Sequence, residues 1–343
     1  LTQVYLKTNM KLLYLSVHSI LEYDELKIFE ELGIDYFSLG SYINPQQPVD
    51  PIRPALKKAP DEWLLTHAPL RDKLTKEFVN KFDVIVIMHG DTGDGNWIEQ
   101  NWPVLQGKRV IWRTIGQSTS KLEQKMFTYR TQGLQVVRYS RREANIDQTA
   151  GCDRIIPFYK DPEEFNNWIG AGNQVITIAQ NMKVRAEYCN YDTFCYLAKG
   201  FNAKLYGPHN ENSEYNGGLL TYEEMKQKMR DCRVYIYTGT QPASYTLNLI
   251  EAMMTGAPIV AIGPKYANSL KIAGDTYEIP DIITNGVNGF WSDDMDELRG
   301  RIEFLLSDLA AARRIGAMGR ETAIQRFGKQ TVKMLWEQFL TKG

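Results

Sequence analysis

Short apolar segments alternate with amphipathic helical segments along most of this chain of 343 residues. The apolar run "KLLYLSV" at 11–17 precedes the helical pattern "YDELKIFEELG", and "DVIVIMHG" at 83–90 precedes "WIEQNWPVLQG". Nearly all-apolar strands separated by helices are typical of parallel sheets whose two faces are covered. The alternation therefore predicts an α/β protein.

The alternation restarts after a polar, glycine-containing segment, "DPEEFNNWIGAG" at 161–172. Such a segment is typical of a joint between domains. We predict two Rossmann-like doubly wound domains, an N-terminal one over 10–168 and a C-terminal one over 169–325. Ligands of open parallel sheets bind beyond the carboxyl ends of the strands, so two such domains would face each other across a ligand-binding cleft.

Composition and charge narrow the class of protein. Hydrophobic residues make up 43% of the chain and charged residues 24%, which is typical of a soluble globular protein. The 40 Lys and Arg residues balance 41 Asp and Glu residues, which disfavours nucleic acid as a partner, although a local basic patch would still permit peripheral membrane contact. Four cysteines without paired metal spacing predict reduced thiols in a cytoplasmic protein.

The segment "SYTLNLIEAMMTGAPIVAIG" at 244–263 carries the clearest chemical signal. It predicts a helix that feeds a buried strand, and the start of a helix binds anions through its unpaired N–H groups and its dipole. Glu251 lies further inside this helix and could accept hydrogen bonds from two vicinal hydroxyls, such as those of a ribose. The alternative is that Asn248, Glu251 and Thr255 form the solvated stripe of an amphipathic helix.

From about Ala171 onward the chain resembles the C-terminal domain of family 4 glycosyltransferases of the GT-B fold. "LIEAMMTGAPIVAIG" resembles the second half of that family's E-x7-E segment, and "EIPDIITNGVNGFW" resembles the loop that follows. "DELRGRIEFLLSDLAAARRIGAMGRETAIQRF" resembles the family's terminal helices. The resemblance implies a GT-B fold, in which the segment 326–343 crosses back to the N-terminal domain.

The resemblance also implies roles for individual residues in donor binding. Glu251 takes the place of the carboxylate that holds the nucleotide ribose, while Ala243 stands where the family has a glutamate that contacts the donor sugar. The family's G-F-G, whose N–H groups contact the diphosphate, corresponds to Ser244, Tyr245 and Thr246.

A second family pattern, G-R-x-x-x-x-K, corresponds to "AQNMKVRAE". Gln180 falls at the arginine position, Arg185 close to the lysine position, and Lys183 nearby. A cation here would stabilise the departing diphosphate, which makes Arg185 a catalytic candidate. The alternative is that Lys183 and Arg185 belong to a solvated loop.

The N-terminal half offers fewer candidates. His89 ends the strand "IMHGD" and is a catalytic candidate facing the cleft, as is His18 after the first strand; the alternative for both is a packing or loop residue. The loop "RTIGQS" at 113–118 carries Ile115 in place of the family's histidine. It predicts an acceptor-side or phosphate-side loop, and the alternative is an ordinary turn. Asp91 and Asp94 lack D-x-D spacing, so we predict no metal site and no cofactor.

The resemblance implies a retaining glycosyltransferase of polysaccharide biosynthesis, and the missing D-x-D agrees with a metal-independent one. Its donor would be a nucleoside-diphosphate sugar of the UDP or GDP type, and its acceptor a glycan or a lipid-linked glycan. Two alternatives stay open: a non-catalytic nucleotide-binding scaffold, and an enzyme that glycosylates modified DNA bases. A sugar-nucleotide epimerase is disfavoured because the paired carboxylates and histidine on which such enzymes depend are missing from the sequence pattern.

Overall fold

The computed structural model describes residues 10–16, 18–38, 73–88, 97–116 and 118–341. Within these ranges the chain forms two parallel sheets of six strands each. The first sheet has the order β2-β1-β3-β4-β5-β6. Its strands are β1 (Lys11–Ser16), β2 (Asp35–Ser38), β3 (Val84–Met88), β4 (Arg109–Arg113), β5 (Gln135–Arg138) and β6 (Arg154–Ile155).

The second sheet has the order β12-β11-β10-β7-β8-β9. Its strands are β7 (Val175–Ile178), β8 (Ala203–Tyr206), β9 (Asn216–Gly218), β10 (Val234–Tyr237), β11 (Ile259–Ile262) and β12 (Phe290–Ser292). The direction of strand progression reverses between β1 and β3 in the first sheet and between β7 and β10 in the second. Such reversals leave a crevice at the carboxyl ends of the strands, where doubly wound proteins bind ligands.

Helices connect the strands. In the first domain they are α1 (Ser19–Glu31), α2 (Lys76–Val79), α3 (Trp97–Leu105) and α4 (Ser120–Arg130), followed by a 3-10 helix (Arg141–Asn145). The second domain contains α5 (Ala186–Cys189), α6 (Tyr191–Ala198), α7 (Tyr222–Asp231), α8 (Leu247–Thr255), α9 (Pro264–Ala267), α10 (Ile279–Ile282), α11 (Met295–Ser307) and α12 (Leu309–Phe327). The last helix is α13 (Lys329–Thr341). None of the helices described here combines the length and apolar character needed to cross a membrane.

The central strands β1, β3 and β4 of the first sheet are buried on both faces. Alternate residues of β3 enter two different hydrophobic clusters: Val84 and Val86 pack in one, Ile85 and Ile87 in the other. Successive side chains of a strand point to opposite faces, so a strand covered on both sides reads as an unbroken apolar run. This is why "VIVIM" lacks the polar alternation of a half-exposed strand.

The chain crosses between the domains at two adjacent places. The Lys160 N–H donates to the Phe327 carbonyl oxygen at 3.0 Å, which joins the linker after β6 to the end of α12. Beyond this point α13 lies against the first domain, where the Arg109 guanidinium donates to the carbonyl oxygens of Phe339 at 2.7 Å and Leu340 at 2.8 Å. A side chain of β4 thus caps the carboxyl end of the last helix.

Candidate functional site: the cleft between the two domains

A cleft of about 480 Å³ lies between the domains. Residues after β1 and β4 line one side, and residues after β7 and β10 line the other. The described lining is His18, Leu21, Ile115, Gly116, Phe158, Arg185, Tyr188, Thr240, Gln241, Pro242, Ala243, Tyr245, Thr246 and Leu247. The strands β1, β7 and β10 flank the reversals in strand order, so the cleft lies where ligands of this architecture bind.

The amino terminus of α8 opens on this cleft. Thr246 is its N-cap residue, and within the described ranges no side chain caps the helix. The Thr246 hydroxyl is hydrogen-bonded to the Asn248 side chain instead, and Asn248 in turn donates to the Ile178 carbonyl oxygen at the end of β7. The first-turn N–H groups have no acceptor within a helix, so this terminus can bind an anion.

Ser244 and Tyr245 hold the two domains together. The buried Ser244 N–H donates to the Tyr139 hydroxyl at 2.6 Å, and the Tyr245 hydroxyl donates to the Tyr139 carbonyl oxygen at 2.7 Å. The two tyrosine rings meet edge to face, with 5.0 Å between their centroids. Because the Ser244 N–H is engaged by Tyr139, the anion site that this geometry offers begins after Ser244.

Glu251 is buried rather than solvated. Its side chain is 6% exposed, and its Oε1 lies 2.6 Å from the Lys160 ammonium. Thr255 is also buried, and its hydroxyl donates to the Glu251 carbonyl oxygen at 2.8 Å. The stripe Asn248, Glu251 and Thr255 is therefore not the solvated face of an amphipathic helix.

The three candidates after β7 have different environments. Arg185 is exposed and lines the cleft, and its guanidinium forms no hydrogen bond or ion pair with the residues that the structure describes. Lys183 donates instead to the Asn212 carbonyl oxygen at 2.7 Å. Lys183 and the exposed Gln180 both lie outside the described lining of the cleft. Of the three, the structure brings Arg185 to the loops that surround the start of α8.

On the opposite wall, His18 is the N-cap residue of α1 and lines the cleft. Its Nδ1 accepts from the Leu21 N–H at 3.4 Å. His89 lies outside the described residues, as do Asp91 and Asp94. Among the described residues, His18 and the loop after β4 line this wall.

Gly116 lies in the loop after β4, where Tyr139 and Ala243 approach closely. The sequence pattern alone did not predict this close approach. Its φ is +85°, and a Cβ at this position would lie 2.5 Å from the Tyr139 hydroxyl oxygen and 3.1 Å from the Ala243 Cβ. Ala243 stands where the family resemblance places the first glutamate. The two small residues thus allow the N-terminal domain to approach the start of α8 closely.

We expect Gly116→Ala to destabilise the protein by about 1–3 kcal/mol more than the matched variant Gly107→Ala. Gly107 has nearly the same φ, +83°, but a Cβ there meets no atom within 4 Å. The backbone strain is therefore common to both variants, and the difference reports contact with Tyr139 and Ala243. Urea denaturation of both variants measures it, and equal stabilities would contradict the close approach of the two domains.

A buried charge cluster supports the wall that carries Gly116. Glu143 accepts from the Thr114 hydroxyl at 2.6 Å and from the Tyr139 N–H at 3.1 Å. Burial raises the pKa of Glu143 to about 7, although the nearby Arg138 opposes this shift. Across the domain boundary, Ser140 donates to Glu278, whose pKa burial also raises. Sequence reasoning missed Glu143 because polar residues surround it in the chain.

Comparisons with known proteins agree with this architecture. No family model and no curated protein matches the chain. Sucrose-phosphate synthase from Thermosynechococcus elongatus superposes with a TM-score of 0.67 at 14% identity, covering 97% of this chain and 99% of that one. Anabaena HepE, solved in complex with UDP, gives a TM-score of 0.62 at 15% identity and covers 97% and 100%.

A third solved structure is an alpha-glucosyltransferase in complex with UDP-glucose and DNA containing an abasic site. It gives a TM-score of 0.64 at 13% identity, covering 97% of this chain and 99% of that one. At these identities the likeness concerns the fold. The prediction of two Rossmann-like domains in the GT-B arrangement is confirmed, while membership of family 4 stays a prediction.

Proposed function

We propose that the protein transfers a sugar from a nucleoside-diphosphate sugar to a hydroxyl acceptor. The observation that carries this proposal is the convergence of the α8 amino terminus and Arg185 on one interdomain cleft. Two proteins of similar fold were solved with UDP or UDP-glucose, which supports a uridine nucleotide as the first donor to test.

The donor diphosphate would bind at the N–H groups that follow Ser244, with Arg185 as its side-chain cation. A helix terminus and a guanidinium both favour doubly charged oxyanions. Glu251, one turn further into α8, would accept from the ribose hydroxyls. One of its oxygens, Oε1, lies 2.6 Å from the Lys160 ammonium.

During transfer, the bond between the anomeric carbon and the donor phosphate oxygen breaks, and negative charge accumulates on the departing diphosphate. The N–H groups of α8 and Arg185 would stabilise that charge, which is often the largest catalytic contribution in such a site. The acceptor oxygen forms the new bond to the anomeric carbon and passes its proton to the departing phosphate. His18 lies on the facing wall, where the acceptor or the sugar would bind.

Three finer features belong to the same proposal. The reaction retains the anomeric configuration, since acceptor and diphosphate act on one face of the sugar. It needs no metal, because the helix terminus and Arg185 supply the positive charge; full activity in EDTA is the expected result. The acceptor is a glycan or a lipid-linked glycan of a polysaccharide pathway.

A second candidate acceptor is a hydroxymethylated base in DNA. The observation that favours it is the similarity in fold to a glucosyltransferase solved with DNA. The net charge of −1 argues against broad attraction to a polyanion. Transfer to hydroxymethylated DNA that exceeds transfer to every glycan would establish this candidate.

Glu251→Gln tests donor binding. We expect this variant to weaken UDP binding by about 1–3 kcal/mol, because ribose hydroxyls would lose a charged acceptor. Isothermal calorimetry with UDP and GDP measures the effect. Glu223→Gln is the matched control, since that carboxylate is 76% exposed and pairs with Lys226 away from the cleft. Unchanged affinity in folded Glu251→Gln would remove the ribose assignment.

A further inference from the structure

Lys160 lies where the two chain crossings between the domains meet. It is fully buried, and its N–H donates to the Phe327 carbonyl oxygen at 3.0 Å. Lys160 also pairs with Gly328 as an isolated parallel bridge. Its backbone therefore joins the linker after β6 to the short segment between α12 and α13, which is the other crossing.

The ammonium of Lys160 contacts one carboxylate from each domain. Its Nζ lies 2.8 Å from Asp24 Oδ2 on α1 and 2.6 Å from Glu251 Oε1 on α8. The side chains of both acids are 6% exposed, and the ring of Phe165 lies 5.6 Å from the ammonium. A charge buried this deeply needs a paired partner, so the three groups form one electrostatic unit across the domain boundary.

We infer that Lys160 is a positioning residue for nucleotide recognition, which orients the Glu251 carboxylate toward the ribose hydroxyls and ties it to Asp24 of the opposite domain. This inference rests on the proposed function, in which Glu251 accepts from the ribose. Lys160 itself does not contact the nucleotide in this assignment; it acts through Glu251.

The physical reason lies in the orientation of the carboxylate. The ammonium, 2.6 Å from Oε1, fixes the direction in which the buried Glu251 carboxylate faces. Without the ammonium, the buried carboxylate is no longer held in this direction. Loss of Lys160 should therefore weaken recognition of the ribose 2′-hydroxyl strongly and binding of the diphosphate much less.

The ratio of affinities for UDP and 2′-deoxy-UDP isolates this effect. We expect the wild-type protein to prefer UDP by about tenfold to a hundredfold, the range for one hydrogen bond to a charged group. In Lys160→Met the ratio should fall close to one, while Lys160→Arg should recover part of it. Calorimetry with both nucleotides measures the ratio for each variant.

A double variant shows whether Lys160 acts through Glu251. The ratio of affinities for UDP and 2′-deoxy-UDP in the double variant Lys160→Met, Glu251→Gln should equal the ratio in Glu251→Gln alone. Once Glu251 is replaced, a lysine at 160 has no carboxylate to orient, so its removal has no further effect on the ratio. If Lys160→Met alone fails to fold, Lys160→Met with Asp24→Asn removes the charge of one of the two acids that Lys160 contacts and carries the measurement. A ratio near one in that variant supports the inference, and a wild-type ratio overturns it.

Lys329→Met is the matched control for a general effect of changes at the two chain crossings between the domains. Lys329 begins α13, next to Lys160, and its ammonium lies 3.1 Å from both Glu31 and Asp161. This variant should keep the wild-type nucleotide ratio even if its stability falls. An equal loss of the ratio in Lys329→Met, or a wild-type ratio in folded Lys160→Met, would overturn the role of Lys160 alone. A wild-type protein that bound neither UDP nor GDP would overturn the proposed function with it.

Discussion

Replacing Arg185 with alanine is expected to lower kcat by roughly a hundredfold to a thousandfold, the range for removing one donor that stabilises developing charge. The KM for the donor should rise much less, because the charge on the diphosphate grows as it departs. The fold should survive, since Arg185 is exposed at the cleft. Steady-state kinetics with the sugar nucleotide that best stabilises the protein measures both constants.

Two further variants sharpen this prediction. Arg314→Ala removes an equal charge from the exposed surface of α12 and should leave kcat unchanged. Lys183→Ala should also have a small effect, because Lys183 lies on Asn212 outside the described lining of the cleft. A large loss in Lys183→Ala with little loss in Arg185→Ala would transfer the phosphate role to Lys183.

Glu143→Gln is expected to change how stability depends on pH. Burial raises the pKa of Glu143 from 4.5 to about 7. Between these values the folded protein holds a proton that the unfolded chain has released, so the free energy of unfolding falls as pH rises through this window. The contribution is about 3 kcal/mol, since each pKa unit corresponds to about 1.4 kcal/mol.

Urea denaturation at pH 5, 6, 7 and 8 tests this prediction. Glutamine at this position keeps an oxygen that accepts from Thr114 and Tyr139, but its side chain does not titrate. The free energy of unfolding of the variant should therefore not fall through this pH window. The stability of the variant relative to wild type should therefore increase by about 2.5 kcal/mol from pH 5 to pH 8. A difference between the two proteins that does not vary with pH would contradict the raised pKa.

The fold followed from the sequence because local pattern and global architecture agree. Apolar runs such as "VIVIM" and "VYIY" each form a strand buried on both faces. The helix and strand expected in 244–263 appear as α8 and β11, separated by Gly256 with a φ of +99° at the end of the helix. These features depend on neighbours in the chain, and local pattern is sufficient to predict them.

The site was harder to predict because it depends on contacts between distant residues. Family spacing placed Lys183 beside the diphosphate. In the structure, Asn181 adopts a left-handed conformation with φ of +50° and donates its N–H to the Pro208 carbonyl oxygen. The turn that follows carries Lys183 to Asn212 instead. Neither this turn nor the pairing of Lys160 with Glu251 has a periodic sequence signal.

Release of diphosphate from a sugar nucleotide tests the central claim most directly. The protein is incubated with UDP-glucose and with the sugar nucleotide that raises its melting temperature most, alone and with glycan, lipid-linked and hydroxymethylated-DNA acceptors. We expect slow release without acceptor and faster release with one acceptor class. Release no greater than that of a Glu251→Ala, Arg185→Ala double variant, with every acceptor, would contradict the transferase and favour a nucleotide-binding scaffold.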